Sequence, residues 1–163
     1  MMRQMVCEMQ INQIINSKFV NDSLSAKNKT EALQELVNTL VSGGVKIDSS
    51  VVMEVLQQRE KLGSTGIGDG VAIPHGKIPG LDELVVAFGR SVQGVGFDAI
   101  DGKPVHLFFL LLAPENSAGQ HLKALAKISK MLKAGDFRKK LMEAKSPGDL
   151  YKSIIAQDEI CGL

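Results

Sequence analysis

The sequence has little that would support nucleic-acid binding or membrane insertion. It has no tryptophan, one tyrosine and a formal net charge of +1, so neither base stacking nor a basic surface is indicated. Its densest basic stretch, at 138–140, lies among acidic residues in an amphipathic pattern and is typical of a solvated helix face. The longest apolar run, at 107–113, is far shorter than the roughly 20 residues of a membrane-spanning helix. We therefore expect a soluble, cytoplasmic protein with no nucleic-acid partner and no membrane insertion.

Several kinds of reactive site are also missing. The two cysteines, Cys7 and Cys161, lie near opposite ends of the chain with no Cys-x-x-Cys spacing, which favours free thiols over a disulfide. The sequence contains no Walker loop, no serine nucleophile elbow and no His-Glu-x-x-His pair. We expect no bound cofactor.

The spacing of apolar residues predicts one α/β domain. A chain of 163 residues fits a single domain with its own core. Helical spacing and capping residues predict two helices, one beginning near Asn28 and one after Asp48. The near-continuous apolar run at 105–112 is typical of a central strand buried on both faces. Three further helices are predicted over 117–133, over 136–144 and from Ser146 onwards.

Together these elements predict a three-layer α/β/α domain, in which helices flank a mixed sheet. The turn signal Asp101-Gly102 lies between two strand-like runs and predicts one antiparallel pair. We expect residues 1–10 to be a flexible lead, residues 11–157 to be the folded domain and residues 158–163 to be a C-terminal tail.

Histidine is scarce, so each of the three can be weighed by its surroundings. His75 follows a short apolar run and lies between Pro74, which fixes the backbone, and Gly76, which is expected to allow a sharp turn. A neutral imidazole is a competent nucleophile near pH 7, because its unperturbed pKa is about 6.5. The glycine-rich segment 63–70 offers backbone N–H groups that can hold anionic oxygens. On residue type alone, a functional nucleophile and a plain turn histidine are equally supported.

The remaining candidates are weaker when each is taken alone. His106, at the start of the buried strand, is typical of a structural histidine. His121 falls in the first turn of a predicted helix, where anions are favoured, although a core or capping role is preferred for it in isolation. Arg59 can bind phosphate oxygens through two N–H groups, although a surface arginine is the default. The stripe expected to face inward on the helix of His121 is Leu122, Leu125, Ile128 and Leu132.

A zinc site is a minor alternative. His75 and His121, together with Asp69 or Glu115, supply suitable ligand types. Their spacing matches none of the common zinc motifs, so we expect no metal.

Two consecutive segments around His75 resemble a known family. Residues 59–68 are Arg-Glu-Lys-Leu-Gly-Ser-Thr-Gly-Ile-Gly, and residues 69–76 are Asp-Gly-Val-Ala-Ile-Pro-His-Gly. In this order and spacing they are similar to the signature of the IIA components of the bacterial phosphoenolpyruvate-dependent phosphotransferase system. The type is the fructose/mannitol and nitrogen-regulatory one. The likeness covers about residues 11–157, nearly the whole chain.

The resemblance implies a role for each candidate residue. His75 aligns with the histidine that is phosphorylated in the family, generally on Nε2. His121 aligns with a second active-site histidine that contacts the phosphoryl group, and Arg59 aligns with an arginine near the phosphate. No metal or nucleotide is implied for this step. The residues expected to bind the phosphate through the surrounding loop are Thr65, Gly66 and Gly76.

The resemblance also implies partners and leaves two functions open. The phosphoryl donor is expected to be the histidine-phosphorylated carrier HPr or its nitrogen-branch homologue. A nitrogen-regulatory IIA acts through phosphorylation-dependent binding to other proteins, whereas a sugar-specific IIA passes the group to a IIB component during sugar uptake. The stretches at 66–70 and 97–102 look more like the nitrogen-regulatory branch, which we favour. A catalytically silent relative is disfavoured, because His75, His121 and Arg59 are all present.

Overall fold

The computed structural model describes residues 10–117 and 119–161. Most of the flexible lead expected at 1–10 lies outside these residues, as do the last two residues of the expected tail. Among the described residues, no helix has both the length and the apolar character needed to cross a membrane.

A six-stranded mixed sheet forms the middle of the described structure. Its order is β1-β5-β6-β3-β2, and β4 also pairs with β6. β5 and β6 are antiparallel, whereas β1 is parallel to β5, and β3 and β4 are parallel to β6. The predicted mixed sheet with an antiparallel pair is therefore confirmed. The strands are β1 (Val20–Asn21), β2 (Gly66–Gly68), β3 (Val71–Ala72), β4 (His75–Ile78), β5 (Val85–Val95) and β6 (Val105–Pro114).

Five α-helices are present in the described residues, and the first two begin at the predicted caps. The Asn28 side chain accepts the N–H of Glu31, and the Asp48 side chain accepts those of Ser50 and Val51. The helices are α1 (Lys29–Ser42), α2 (Ser49–Lys61), α3 (Gln120–Leu132), α4 (Gly135–Glu143) and α5 (Pro147–Cys161). Two single 3-10 turns, Ile11–Gln13 and Ser17–Phe19, precede β1.

Neighbouring residues of β5 show that helices cover both faces of the sheet. At Gly89 a Cβ would lie 2.8 Å from Leu36 Cδ2 of α1. The buried guanidinium of Arg90 donates to the carbonyls of Leu141 at 2.9 Å and Ala144 at 2.6 Å, at the end of α4. Successive strand residues point to opposite faces, so α1 and α4 lie on opposite sides. The predicted three-layer arrangement is confirmed.

The middle of the sheet is β6, as its apolar run predicted. It pairs with β5 on one side and with β3 and β4 on the other. Phe108, Phe109 and Leu110 have no exposed surface, so both faces of the strand are covered.

The predicted inward face of α3 is wrong in part. The helix begins at Gln120 instead of residue 117, after Gly119 in a left-handed conformation (φ 89°). Leu122 is 60% exposed, because it lies on the outer side of the first turn. The prediction favoured leucines and missed Ala124 and Met131, which are buried. The buried residues of α3 are Ala124, Ile128, Met131 and Leu132.

The tail expected from residue 158 is also corrected, since α5 continues to Cys161. Asp158 is buried in this last part of the helix. Its carboxylate accepts the N–H of Ile11 at 2.9 Å and pairs with Lys127 of α3 at 2.7 Å. These bonds fix the end of α5 against the start of the described chain, so 158–161 belong to the folded unit.

Candidate functional site

His75 opens β4 at an interruption in the sheet. Both β3 and β4 pair with β6, β3 as far as Phe108 and β4 from Leu111 onwards. Ile73 and Pro74 separate the two short strands, because proline has no N–H to donate to the ladder. The short apolar run before His75 thus forms β3 (Val71–Ala72).

The sharp turn expected at Gly76 is wrong, because Gly76 continues β4 and is not among the residues with positive φ. Its role is instead one of packing. A Cβ at this position would lie 2.6 Å from Val55 Cγ1 of α2. The missing side chain therefore allows α2 to pack closely on β4, which brings the last turn of α2, with Arg59, towards His75. Phosphate binding by Gly76 stays a prediction.

The His75 ring is held in one tautomer. Its Nδ1 lies 2.9 Å from the carbonyl oxygen of Ile73. A carbonyl oxygen can only accept, so Nδ1 carries the proton and, in the neutral ring, Nε2 carries the free lone pair. Burial is the main cause that lowers the pKa of His75 below its ordinary 6.5. At neutral pH this residue is therefore an uncharged imidazole with a nucleophilic Nε2.

The residues singled out by the sequence are gathered around this ring. Besides burial, the charges of Arg59 and His121 lower the pKa of His75, whereas that of Glu60 raises it. Arg59 is partly exposed in the last turn of α2 and donates to the Gly63 carbonyl at 2.9 Å. Two residues capable of positive charge thus lie near the His75 ring, as a site for an anionic group requires.

His121 lies in the first turn of α3, where the sequence predicted it. It is half-buried, and its Nδ1 lies 3.0 Å from the Ser117 hydroxyl. That hydrogen bond orients the ring. Its contact with a phosphoryl group stays a prediction.

Thr65 is buried, and both of its donors are used by Glu60. The Thr65 N–H donates to Glu60 Oε1 at 3.1 Å, and the Thr65 hydroxyl donates to Glu60 Oε2. A hydroxyl has one proton, so it cannot donate to a phosphoryl oxygen at the same time. The predicted phosphate contact of Thr65 would require this bond to open.

Gly66 lies where two loops approach closely. A Cβ here would be 2.9 Å from the Cα of Ala99, and the Gly66 N–H donates to the Ser64 hydroxyl at 3.0 Å. That N–H is therefore engaged within the loop. Its role as a phosphate donor stays a prediction.

Glu60, which follows Arg59 in the sequence, was not predicted as a site residue. The side chain is 5% exposed and pairs with Lys29 Nζ at 3.1 Å. The signal was available: Val52, Leu56 and Glu60 repeat every four residues on the buried face of α2. A carboxylate that continues an apolar stripe is placed in the interior, where it requires partners.

The zinc alternative gains no support. The part of the chain that the structure describes contains no group of three or more His, Cys, Asp or Glu side chains that could hold a metal ion.

The fold and the site define a class of protein: an α/β domain with a neutral nucleophilic histidine at a sheet edge, beside an arginine and a second histidine. The chain belongs to the family described as phosphoenolpyruvate-dependent sugar phosphotransferase system, EIIA 2, whose model matches residues 13–157. The family that the resemblance indicated is confirmed.

Similar proteins come from both branches of this family. The chain is 41% identical to a nitrogen regulatory protein of Bradyrhizobium diazoefficiens over 148 residues. This alignment covers 91% of this chain and 95% of the relative. It is 34% identical to the fructose-specific EIIABC component of Bacillus subtilis, over 93% of this chain but 24% of that protein. The crystal structure of the nitrogen regulatory protein IIA-Ntr from Neisseria meningitidis superposes with a TM-score of 0.82 at 38% identity, covering 88% of this chain and 98% of that one.

Proposed function

We propose that the chain is a phosphohistidine carrier that accepts a phosphoryl group on Nε2 of His75 and works as a nitrogen-regulatory IIA protein. The donor is a histidine-phosphorylated HPr or its nitrogen-branch homologue. The observation that carries the proposal is the hydrogen bond between His75 Nδ1 and the Ile73 carbonyl, which leaves Nε2 unprotonated in the neutral ring. The exchange takes place in the cytoplasm, as expected from the sequence.

The transfer is an in-line displacement at phosphorus. The Nε2 lone pair of His75 forms a P–N bond while the P–N bond to the donor imidazole breaks and its electrons return to that ring. Nδ1 keeps its proton, so the product ring gains positive charge while the phosphoryl oxygens stay negative. The bond broken and the bond formed are of the same type, so the step is near-reversible and the protein acts as a phosphotransferase.

Arg59 and His121 supply the electrostatic part of this reaction. Charge in the transition state lies on the equatorial phosphoryl oxygens, where fixed donors stabilise it most effectively. The guanidinium can offer two N–H groups to those oxygens, since Nη1 donates to the Gly63 carbonyl and the other nitrogens remain. No metal or nucleotide takes part in the step.

Four exposed apolar residues lie near site residues in the chain or bond to the loop beside them, which supports docking of a protein donor. Leu62, 84% exposed, directly follows α2 and its Arg59, and Leu122 directly follows His121. Ile67 and Ile100 are also exposed, and the Ile100 N–H donates to Gly66 in the loop beside Thr65. We call these four residues the apolar rim. Large exposed apolar groups around a polar centre are typical of a protein-binding surface.

The regulatory branch is favoured by the relatives. The nitrogen regulatory protein of B. diazoefficiens is 41% identical to this chain, and the fructose-specific relative of B. subtilis is 34% identical. The alternative is a sugar-specific IIA that passes the phosphoryl group to a IIB component. The downstream partner in the favoured case is a protein that binds one phosphorylation state.

The test is phosphorylation with phosphoenolpyruvate, enzyme I and either donor, followed by intact mass. The wild type should gain one acid-labile phosphoryl group, and His75→Ala should gain none. His106→Ala is the matched control, because the His106 ring is also half-buried and its Nδ1 also bonds a carbonyl, that of Ser91 at 2.8 Å. This control should be phosphorylated like the wild type.

No gain with either donor, or a gain retained in His75→Ala, would remove the carrier assignment. Passage of the phosphoryl group to a fructose-type IIB component at a rate comparable with loading would favour the sugar-specific alternative.

A further inference from the structure

Three hydrogen-bonded steps connect the buried carboxylate of Glu60 with the His75 ring. The carboxylate accepts both the N–H and the hydroxyl of Thr65. The Thr65 carbonyl accepts the N–H of Ile73 at 3.0 Å, and the Ile73 carbonyl accepts Nδ1–H of His75 at 2.9 Å. We call this series, Glu60–Thr65–Ile73–His75, the relay. It leads from α2, through the loop before β2, to the nucleophile.

The Glu60 end of the relay is fixed on its other side as well. Lys29 Nζ lies 3.1 Å from Glu60 Oε1 and 3.5 Å from Asp98 Oδ2, and 4.8 Å from the centre of the Phe97 ring. A buried carboxylate is stable only when it is paired and hydrogen-bonded, so it stays where these partners hold it. The carboxylate therefore has a defined position from which it can fix Thr65.

We infer that Glu60 is a positioning residue, which acts through Thr65 and Ile73 to hold the His75 ring with Nδ1 protonated and Nε2 available. The inference rests on the proposed phosphoryl transfer at His75, but the state of the ring can be measured without any transfer. Its second contribution is charge. When Nε2 bonds to phosphorus the ring becomes positive, and a nearby carboxylate favours that charge.

Glu35 offers a control carboxylate, because it also binds loop N–H groups and a hydroxyl and is not part of the relay. Glu35 of α1 accepts the N–H of Ser25 at 2.9 Å and that of Ala26 at 2.6 Å, as well as the Ser25 hydroxyl at 3.3 Å. Like Glu60, it fixes a loop to a helix. A purely structural role of Glu60 should therefore resemble the role of Glu35.

The experiment compares Glu60→Gln with Glu35→Gln and the wild type, using 15N-histidine NMR of the unphosphorylated chains. The pH titration of each ring gives the pKa and the tautomer of His75. Glu60→Gln removes one acceptor from Thr65 and the negative charge that raises the pKa of His75. We expect a lower pKa and a smaller fraction of the Nδ1–H tautomer, both close to wild type in Glu35→Gln. Glu60→Asp keeps the negative charge, so the pKa of His75 should return most of the way to its wild-type value.

Phosphoryl transfer from HPr is then measured on the same three proteins. We expect the rate at saturating donor to fall on the order of tenfold in Glu60→Gln, with the donor concentration for half-maximal rate unchanged. Glu35→Gln should transfer at the wild-type rate, even if it melts at a lower temperature.

If Glu60→Gln folds and its His75 ring keeps the wild-type pKa and tautomer, the inference is overturned. This holds whether or not the wild type accepts a phosphoryl group from HPr. If the pKa and tautomer of His75 change in Glu60→Gln but the wild type accepts no phosphoryl group, the relay is supported and the proposed function is removed. If Glu60→Gln does not fold, Thr65→Val takes its place, because it removes only the hydroxyl donor of the same relay. An unaltered His75 ring in Thr65→Val would then count against the inference.

Discussion

His75 and His106 are held in the same way but have different neighbours. Both rings are half-buried, both lie at the start of a strand, and both have Nδ1 within 2.9 Å of a backbone carbonyl. The two rings therefore share a tautomer. What separates them is the rest of the surroundings.

At His106 the ring lies close to Gly94. A Cβ on Gly94 would lie 2.9 Å from Cε1 and 3.1 Å from Nε2 of His106, so a side chain at this position would meet the ring. At His75 the neighbours are charged or titratable groups: Arg59, Glu60 and His121 all act on its pKa. Because the two rings share a tautomer, the tautomer alone does not single out His75, and we expect the surrounding groups Arg59, Glu60 and His121 to be what distinguishes it.

The largest effect within this comparison is expected from Arg59, whose charge acts on His75. Arg59→Gln removes a cation from the oxygens of the transferred group, and we expect transfer to slow by roughly 100-fold. Since Arg59 lowers the pKa of His75, the variant should also raise that pKa. The initial rate of phosphorylation by HPr and a 15N titration of the ring measure the two effects.

Arg138→Gln is the control for this substitution. Arg138, like Arg59, donates through one guanidinium nitrogen to a backbone carbonyl, that of Leu132 at 2.7 Å. A wild-type rate in Arg59→Gln, or an equal loss in Arg138→Gln, would show that the charge at residue 59 has no special part in the reaction.

A smaller effect is expected at Gly76, the glycine that follows His75 and packs against α2. Gly76→Ala places a methyl group 2.6 Å from Val55 Cγ1, so α2 must move away from β4. We expect a loss of about 1–3 kcal/mol in the free energy of unfolding, with slower transfer because Arg59 moves with α2. Gly96→Ala is the matched control, since no atom lies within 4 Å of its added Cβ. Chemical denaturation measures the stability of each variant.

Adding Val55→Ala to Gly76→Ala should restore part of the stability and of the transfer rate. Gly76→Ala as stable as Gly96→Ala would contradict the close packing of α2 on β4.

The parts of the fold that local chemistry decides were predictable from the sequence. Asn28 and Asp48 are capping residues followed by helical apolar spacing, and both start helices. The buried strand at 105–112 needed only its continuous apolar run. The buried face of α3 was not predictable in this way, because Ala124 and Met131 are buried whereas the more apolar Leu122 is exposed. A difference of this kind depends on what the helix meets, which the sequence does not contain.

For the site, the sequence could indicate which residues take part but not how they are arranged. Residue chemistry left His75 open between a nucleophile and a turn histidine, and the resemblance to a family supplied the rest. The tautomer of His75 depends on the break between β3 and β4, which brings the Ile73 carbonyl to Nδ1. The relay to Glu60 depends on Thr65 facing α2. Both are tertiary arrangements that no spacing in the sequence specifies.

The smallest effect is a shift in the pH dependence of transfer, and it compares the two histidines most directly. Only the neutral His75 ring has a lone pair on Nε2, so the rate of loading should rise with pH through the pKa of His75 and then level off. Burial holds that pKa below 6.5, so the half-maximal rate should lie at a pH below 6.5. In Arg59→Gln the loss of a nearby positive charge should move the midpoint to higher pH, although the plateau is lower. In His106→Ala the midpoint should stay where it is in the wild type. Single-turnover loading from a fixed amount of phosphorylated HPr, measured between pH 5 and 8 after correction for the donor's own stability, gives these midpoints. A midpoint that shifts in His106→Ala but not in Arg59→Gln would mean that the rate depends on protonation elsewhere in the fold. The charges around His75 would then not control its reaction.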